Sequence, residues 1–276
     1  FADDTTLHSC DSNANILNKK LQDNLEKVID WTELNHMTLN SHKTKCMYVS
    51  ARQKRQKMQS CFKPVYIGKN SVEEVNAHKM LGIIIDRDLS WHDHTSSLVK
   101  RMSIKLFQFS KIKHFLDIHS RNLLFFAHIV SIIDYASTLW DNCSDNNFKL
   151  INRMYKRALK LILLKLSSIT PQDFKQLNIL TLKNRLLFNK AVLMHKVNFD
   201  CAPIKISNKF MVNNHRHKHL FALPRPRHNL FKNTFLYSGG NLWNNLPTEF
   251  KTIANIDTFK RRFKDYLMQN QTYENI

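Results

Sequence analysis

The chain has 276 residues, 43% of them hydrophobic, enough for one large domain or two ordinary ones and too apolar for global disorder. Lys and Arg number 42 against 22 Asp and Glu, so the net charge is +20, a balance that seeks polyanions: nucleic acid first, a membrane surface second. No apolar run approaches the ~20 residues of a membrane span and no signal-peptide pattern opens the chain; Cys10, Cys46, Cys61, Cys143 and Cys201 are odd in number and never form C-x-x-C, and four glycines leave no Gly-rich phosphate loop.

An intracellular protein, nuclear or cytoplasmic, with reduced thiols is therefore expected. The chain opens on Phe1-Ala2-Asp3-Asp4. Adjacent carboxylates at a turn can form half of a clamp for hard cations such as Mg²⁺, which take oxygen ligands. Asp pairs are also common in turns and helix caps, and by itself that plainer reading is favoured.

Asp11 and Ser12 are candidate caps for a helix running to about residue 37, with Leu17, Leu21, Leu25 and Val28 on one face. Residues 39–49 become β-rich towards their end. Residues 51–60, with Arg52, Lys54, Arg55 and Lys57, read as a polar loop that either meets a template or solubilises the surface, the second leading. Val65 to Ile67 and Ser71 to Val75 flank a turn at 68–70 and form a hairpin. Met80 to Ile85 is a short apolar run that reads as one strand, in which Gly82 marks either a bulge or the close approach of another backbone.

From Trp91 onward the spacing turns helical. Leu98, Met102, Leu106 and Phe109 mark one amphipathic helix. Leu123, Phe126, Ala127, Val130 and Ile133 mark a second, and Leu150, Met154, Ala158 and Leu161 a third. Two more are expected within 171–199, the first opening on Pro171. Residues 200–240 look loop-like, with prolines and Gly239-Gly240, and a basic amphipathic helix spans about 259–267. The fold class is thus α+β: a small antiparallel sheet with one packed helix, then a mostly helical remainder. The divisions expected are 1–90, 91–200 and 201–276.

Lys149, Arg153, Lys156 and Lys160 recur at i, i+4, i+7 and i+11, with Arg157 beside them, and residues 149–165 contain no acid. A solvated helix face usually mixes signs, so this row points to a phosphate backbone. His215, Arg216, His217, Lys218 and His219 have no nearby Cys or acid to complete a metal site and read as a polycationic loop.

Four ordered segments together resemble the reverse transcriptases of non-long-terminal-repeat retrotransposons of the jockey-like, LINE-type kind. They are Phe1-Ala2-Asp3-Asp4, which is similar to the catalytic aromatic-Ala-Asp-Asp motif; Leu39-Asn40 with Lys43-Thr44; His78 to Asp86 continuing through Leu89-Ser90-Trp91 to His94; and Tyr135-Ala136, Trp140 and 150–164. Leu242 to Pro247 and Phe259-Lys260 resemble a C-terminal block of these elements.

The resemblance implies a partial polymerase palm and primer grip over 1–90, a thumb over 91–200 and a basic tail. It implies RNA-directed DNA polymerisation in the full-length enzyme: a primer 3′-hydroxyl attacks a deoxynucleoside triphosphate and pyrophosphate leaves. Asp3 and Asp4 would bind Mg²⁺ in a two-metal site, Lys43 would act near the leaving pyrophosphate, and Leu81 and Gly82 would lie against the primer. The partners implied are an RNA template, a DNA primer and their duplex. The family's first metal-binding Asp and its fingers would lie upstream of Phe1, so residues 1–276 are expected not to polymerise alone. The alternative is a non-catalytic basic nucleic-acid-binding protein derived from the thumb.

Overall fold

The computed structural model describes residues 5–58, 61–211, 220–226 and 229–271. Asp3, Asp4 and the run His215 to His219 lie outside the described residues. The chain divides into two compact units, Phe1–His94 and Thr95–Ile276, and is of the mixed α+β class expected.

In the first unit, α1 (Ala14–Leu34) opens at Asn13, whose side chain accepts from the Asn15 and Ile16 amides. Asp11 stands one step further out, accepting from the Asn13 amide and pairing with Lys20 at 2.7 Å, so Asn13 takes the cap assigned to Asp11 and Ser12. The helix lays Leu21, Leu25 and Ile29 against Val65, Ile67 and Val72 to make a small core.

The expected single antiparallel sheet is three separate two-stranded pairs. β1 (Lys45–Cys46) and β4 (Glu73–Glu74) pair in parallel. β2 (Tyr66–Ile67) and β3 (Asn70–Ser71) form the expected hairpin, with Gly68 at φ +58° in its turn.

β5 (Ala77–Met80) and β6 (Ile83–Asp86) form a second hairpin where one strand was expected. Leu81 and Gly82 are its two corner residues, at φ +47° and +82°. Positive φ at both central residues is what a tight two-residue turn demands of right-twisted strands. Gly82 therefore answers to turn geometry and is not inside a strand.

The stretch read as a polar loop holds α2 (Arg52–Met58). Its sequence has no glycine, proline or β-branched residue, so helix propensity is high although periodicity is absent. Arg55 is buried: its guanidinium donates to the Ser50 and Arg87 carbonyls and pairs with Asp88 at 2.5 Å. That corrects both outcomes weighed for this residue, since Arg55 braces the loop after β6. Asp86 completes the brace, its carboxylate accepting from the amides of Asp88, Ser90 and Trp91 at 2.9–3.0 Å.

The second unit is helical. α3 (His92–Ile112), which begins in the last residues of the first unit, buries Leu98, Met102, Leu106 and Phe109 as its spacing predicts. A short three-ten turn, Lys113–Phe115, leads to α4 (Ile118–Phe125), a π-helical segment Phe126–Val130 and α5 (Ser131–Asp134). The wider π turn moves the buried face to Phe125, Ile129, Val130, Ile132 and Ile133, leaving Leu123, Phe126 and Ala127 exposed against expectation.

At Tyr135-Ala136 the chain breaks, with Ala136 left-handed at φ +49°, and α6 (Ser137–Trp140) carries Trp140 into the core. α7 (Asp145–Leu163) is capped by Ser144 and packs on α4, where Tyr155 meets Phe125 edge-to-face at 5.3 Å. α8 (Pro171–Leu177) opens with a capping box between Thr170 and Asp173, and α9 (Leu182–Asn198) follows.

After α10 (Ile204–Ser207) and α11 (Asn229–Lys232), α12 (Phe235–Asn245) occupies part of the region read as loop. Gly239 and Gly240 are interior to it because neighbours press where a Cβ would lie: Met194 Sδ and Leu223 Cδ2 come within 2.8 Å of those positions. α13 (Thr248–Lys251) and α14 (Ile256–Gln269) end the described chain. α9, α12 and α14 share a core built on Met194, Trp243, Phe259 and Phe263.

Candidate nucleic-acid interface

α7 carries the cationic row that its sequence singles out. Its buried side is Ile151, Tyr155, Ala158, Leu159 and Ile162, so Ala158 is buried as expected while Ile151, Tyr155 and Ile162 take the places of Leu150, Met154 and Leu161. Leu150 is 39% exposed and Met154 half-buried, so the helix is turned further than Leu150 and Met154 imply. At 100° per residue, Lys149, Arg153, Lys156 and Lys160 then fall on the side away from the core, with Arg157 flanking them.

Lys149, Arg153 and Arg157 are exposed, while Lys156 and Lys160 are half-buried. Burial lowers the Lys156 pKa, and the Lys160 ammonium donates to the Leu166 carbonyl at 3.4 Å. The row runs eleven steps from Lys149 to Lys160, or about 16 Å at 1.5 Å per residue. That is roughly five nucleotide steps along a strand at 3.4 Å each.

The other expected site residues are scattered through the first unit. Lys43 is exposed in a turn before β1, where Asn40 organises the backbone by accepting from the Lys43 amide at 3.1 Å and the Thr44 hydroxyl at 2.9 Å. Asn40 and Thr44 are thus turn residues, as their types suggest. Leu81 and Gly82 stand exposed at the tip of the β5–β6 hairpin.

Trp91 and His94 are buried and meet edge-to-face, with His94 Nδ1 facing the Ile84 amide at 3.4 Å. Together with Asp86 they form a packed and hydrogen-bonded corner. The C-terminal block is likewise architectural: Trp243 and Phe259 lie 6.1 Å apart in the core, and the Asn244 amide clamps both backbone groups of Phe221 at 2.9 Å.

Among the described residues no group of three or more His, Cys, Asp or Glu side chains is placed to hold a metal ion. The described residues therefore do not make a magnesium site, and the expectation for Asp3 and Asp4 rests on sequence alone. Among the described residues no helix is long and apolar enough to cross a membrane. Sequence reading passed over Arg101, Lys105 and His128, which α3 and the π segment bring to one cleft. The i, i+4 spacing of the first two was a visible signal; the π turn that supplies the third was not.

An α+β chain with a cationic helix that is acid-free from residue 149 onward is the setting in which its likenesses take meaning. No family model matches the chain, and no solved structure does. The probable RNA-directed DNA polymerase from transposon X-element of Drosophila melanogaster is 24% identical to it over 150 residues. That stretch is 51% of this chain and 15% of the fly protein's length. About half of the chain is thus similar to a small part of a transposon polymerase.

Proposed function

We propose that this chain is part of the RNA-directed DNA polymerase of a non-long-terminal-repeat retrotransposon, and that its helical half holds the template–primer duplex. The observation that carries the reading is the α7 row, five cations on the side away from the core with no acid from 149 to 165. The likeness of half the chain to a transposon polymerase supports it. In this reading 1–90 is a palm remainder with the primer grip, 91–200 a thumb and 201–276 a basic tail. The β5–β6 tip at Leu81-Gly82 meets the primer strand, and Lys43 faces the phosphates of an incoming deoxynucleoside triphosphate. Magnesium belongs to Asp3 and Asp4 with groups supplied from elsewhere in the polymerase, and Lys43 is the one described residue with a part in the chemistry.

The test pairs binding with extension. The chain should bind an RNA–DNA duplex with an affinity that falls steeply with salt, and Lys149→Ala/Arg153→Ala should weaken it. Residues 1–276 alone should not extend a primer, whereas adding a separately expressed upstream polymerase segment should restore extension, and Asp3→Asn should abolish it. Duplex binding without any restored extension would favour the non-catalytic binding protein instead. Extension by residues 1–276 alone would refute the assignment of the missing metal ligand to another segment.

A further inference from the structure

The second unit holds a cleft of about 240 Å³ between α3 and the π segment. Arg101 and Lys105 line it from successive turns of α3, and His128 faces them from the π segment. Ile104, Ala127 and Ile132 supply its apolar surface, and no acid lines it. Among the described residues none of the three basic side chains is paired with an acid.

The π turn is what opens His128 towards α3. In an α-helix the Ser131 amide would bond the Ala127 carbonyl; here it donates to the Phe126 carbonyl, and the Ser131 hydroxyl satisfies Ala127 in its place. π turns of this kind recur at functional sites. The outer side of α3 repeats the pairing of cation with apolar surface one turn on, where the Lys111 ammonium lies 5.2 Å from the ring centroid of the exposed Phe107.

We propose that this cleft seats one unstacked nucleotide of a single-stranded nucleic acid, with phosphate on Arg101 and Lys105 and the base against Ile104, Ala127 and Ile132. The volume equals that of ~8 waters at about 30 Å³ each, the scale of one nucleoside. A cation rim alone would suit any phosphate. The apolar surface has no use for a duplex, whose base faces are stacked away, and suits the exposed face of a single-strand base. The proposal rests on the reading that the chain holds nucleic acid and adds a second mode of contact to the α7 row.

Anisotropy titrations with a labelled oligouridine of about twelve nucleotides, within the range that single-strand sites span, and with an RNA–DNA duplex separate the two modes. Arg101→Ala/Lys105→Ala removes the cations, and Ala127→Trp fills the cleft from an exposed position without changing charge. Each should weaken oligouridine binding about tenfold while duplex affinity stays within about twofold. Lys149→Ala/Arg153→Ala should do the reverse. Unchanged oligouridine binding by Ala127→Trp, or equal weakening of both probes by the charge variants, would overturn the cleft while leaving the duplex reading intact. Failure of the unaltered chain to bind either probe would overturn both.

Discussion

Two buried charges set the residue-scale energetics of the helical unit. Lys190 and Asp141 pair at 2.6 Å with side chains only 13% and 7% exposed. Burial pushes the Asp141 carboxyl up while the ammonium beside it pulls it down. Removing one member leaves the other charge buried and unpaired, which costs about 3–5 kcal/mol. Lys190→Met should therefore lower the midpoint of urea unfolding markedly, and Lys190→Met/Asp141→Asn should recover much of the loss.

His195 works in the opposite sense. Its Nε2–H donates to the Ile253 carbonyl at 2.7 Å, and its ring packs among Phe199, Trp243 and Phe259. Burial holds its pKa below 6.5. The unfolded chain then binds a proton that the folded chain refuses, so this residue's contribution is whole above pH 6.5 and shrinks as pH falls through the window below it. Unfolding free energies measured from pH 7.5 to 5 should fall less steeply for His195→Gln than for the unaltered chain.

At the scale of elements, α12 shows packing overriding propensity. Ala normally gains up to about 1 kcal/mol over Gly inside a helix. A Cβ on Gly239, however, would stand 2.8 Å from Met194 Sδ and 2.9 Å from a Phe235 ring carbon, and overpacking of that kind costs about 1–3 kcal/mol. Gly239→Ala should thus lower the melting temperature, and a rise would mean that Met194 and Phe235 move aside at little cost. This helix was not legible in the sequence, because paired glycines normally end elements and the atoms that justify them include Met194 Sδ, forty-five positions from Gly239, and Leu223 Cδ2, seventeen from Gly240.

The same reason hid α2, whose side chains are polar except for Met58 and whose anchor is Arg55 reaching Asp88. α3 was legible because Leu98, Met102, Leu106 and Phe109 hold strict helical spacing, and α8 because Pro171 follows a capping Thr170. The β5–β6 hairpin was missed because Met80 and Leu81 run into the isoleucines of β6 as one apolar stretch, with Gly82 the sole turn residue at the corner. Of the candidate site, the cation row on α7 was legible from its missing acids. Its buried side was misjudged at Leu150 and Met154 because these are as apolar as Ile151 and Tyr155.

For the whole molecule, the net charge of +20 is a statement about association and solubility before it is one about fold. If the five α7 cations each displace a counterion from a duplex, they add about 4–5 to the slope of log affinity against log salt. Removing the exposed pair Lys149 and Arg153 should reduce the measured slope by about 2. A slope unaltered by that change would place the duplex on another surface.

The π turn at 126–130 carries a consequence for how this chain is compared with others. Such a turn holds one residue more than the α-helix that replaces it, so excision of a single codon there would restore regular winding. Side chains outside the turn would keep their faces, because the π turn is what absorbs the extra residue; only those inside it, Ala127 and His128 among them, would be re-aimed. His128 and Ala127 would leave the cleft, while the chain stayed helical throughout. A one-position gap at this point in an alignment therefore marks a homologue that has lost the pocket, even where all its basic residues survive.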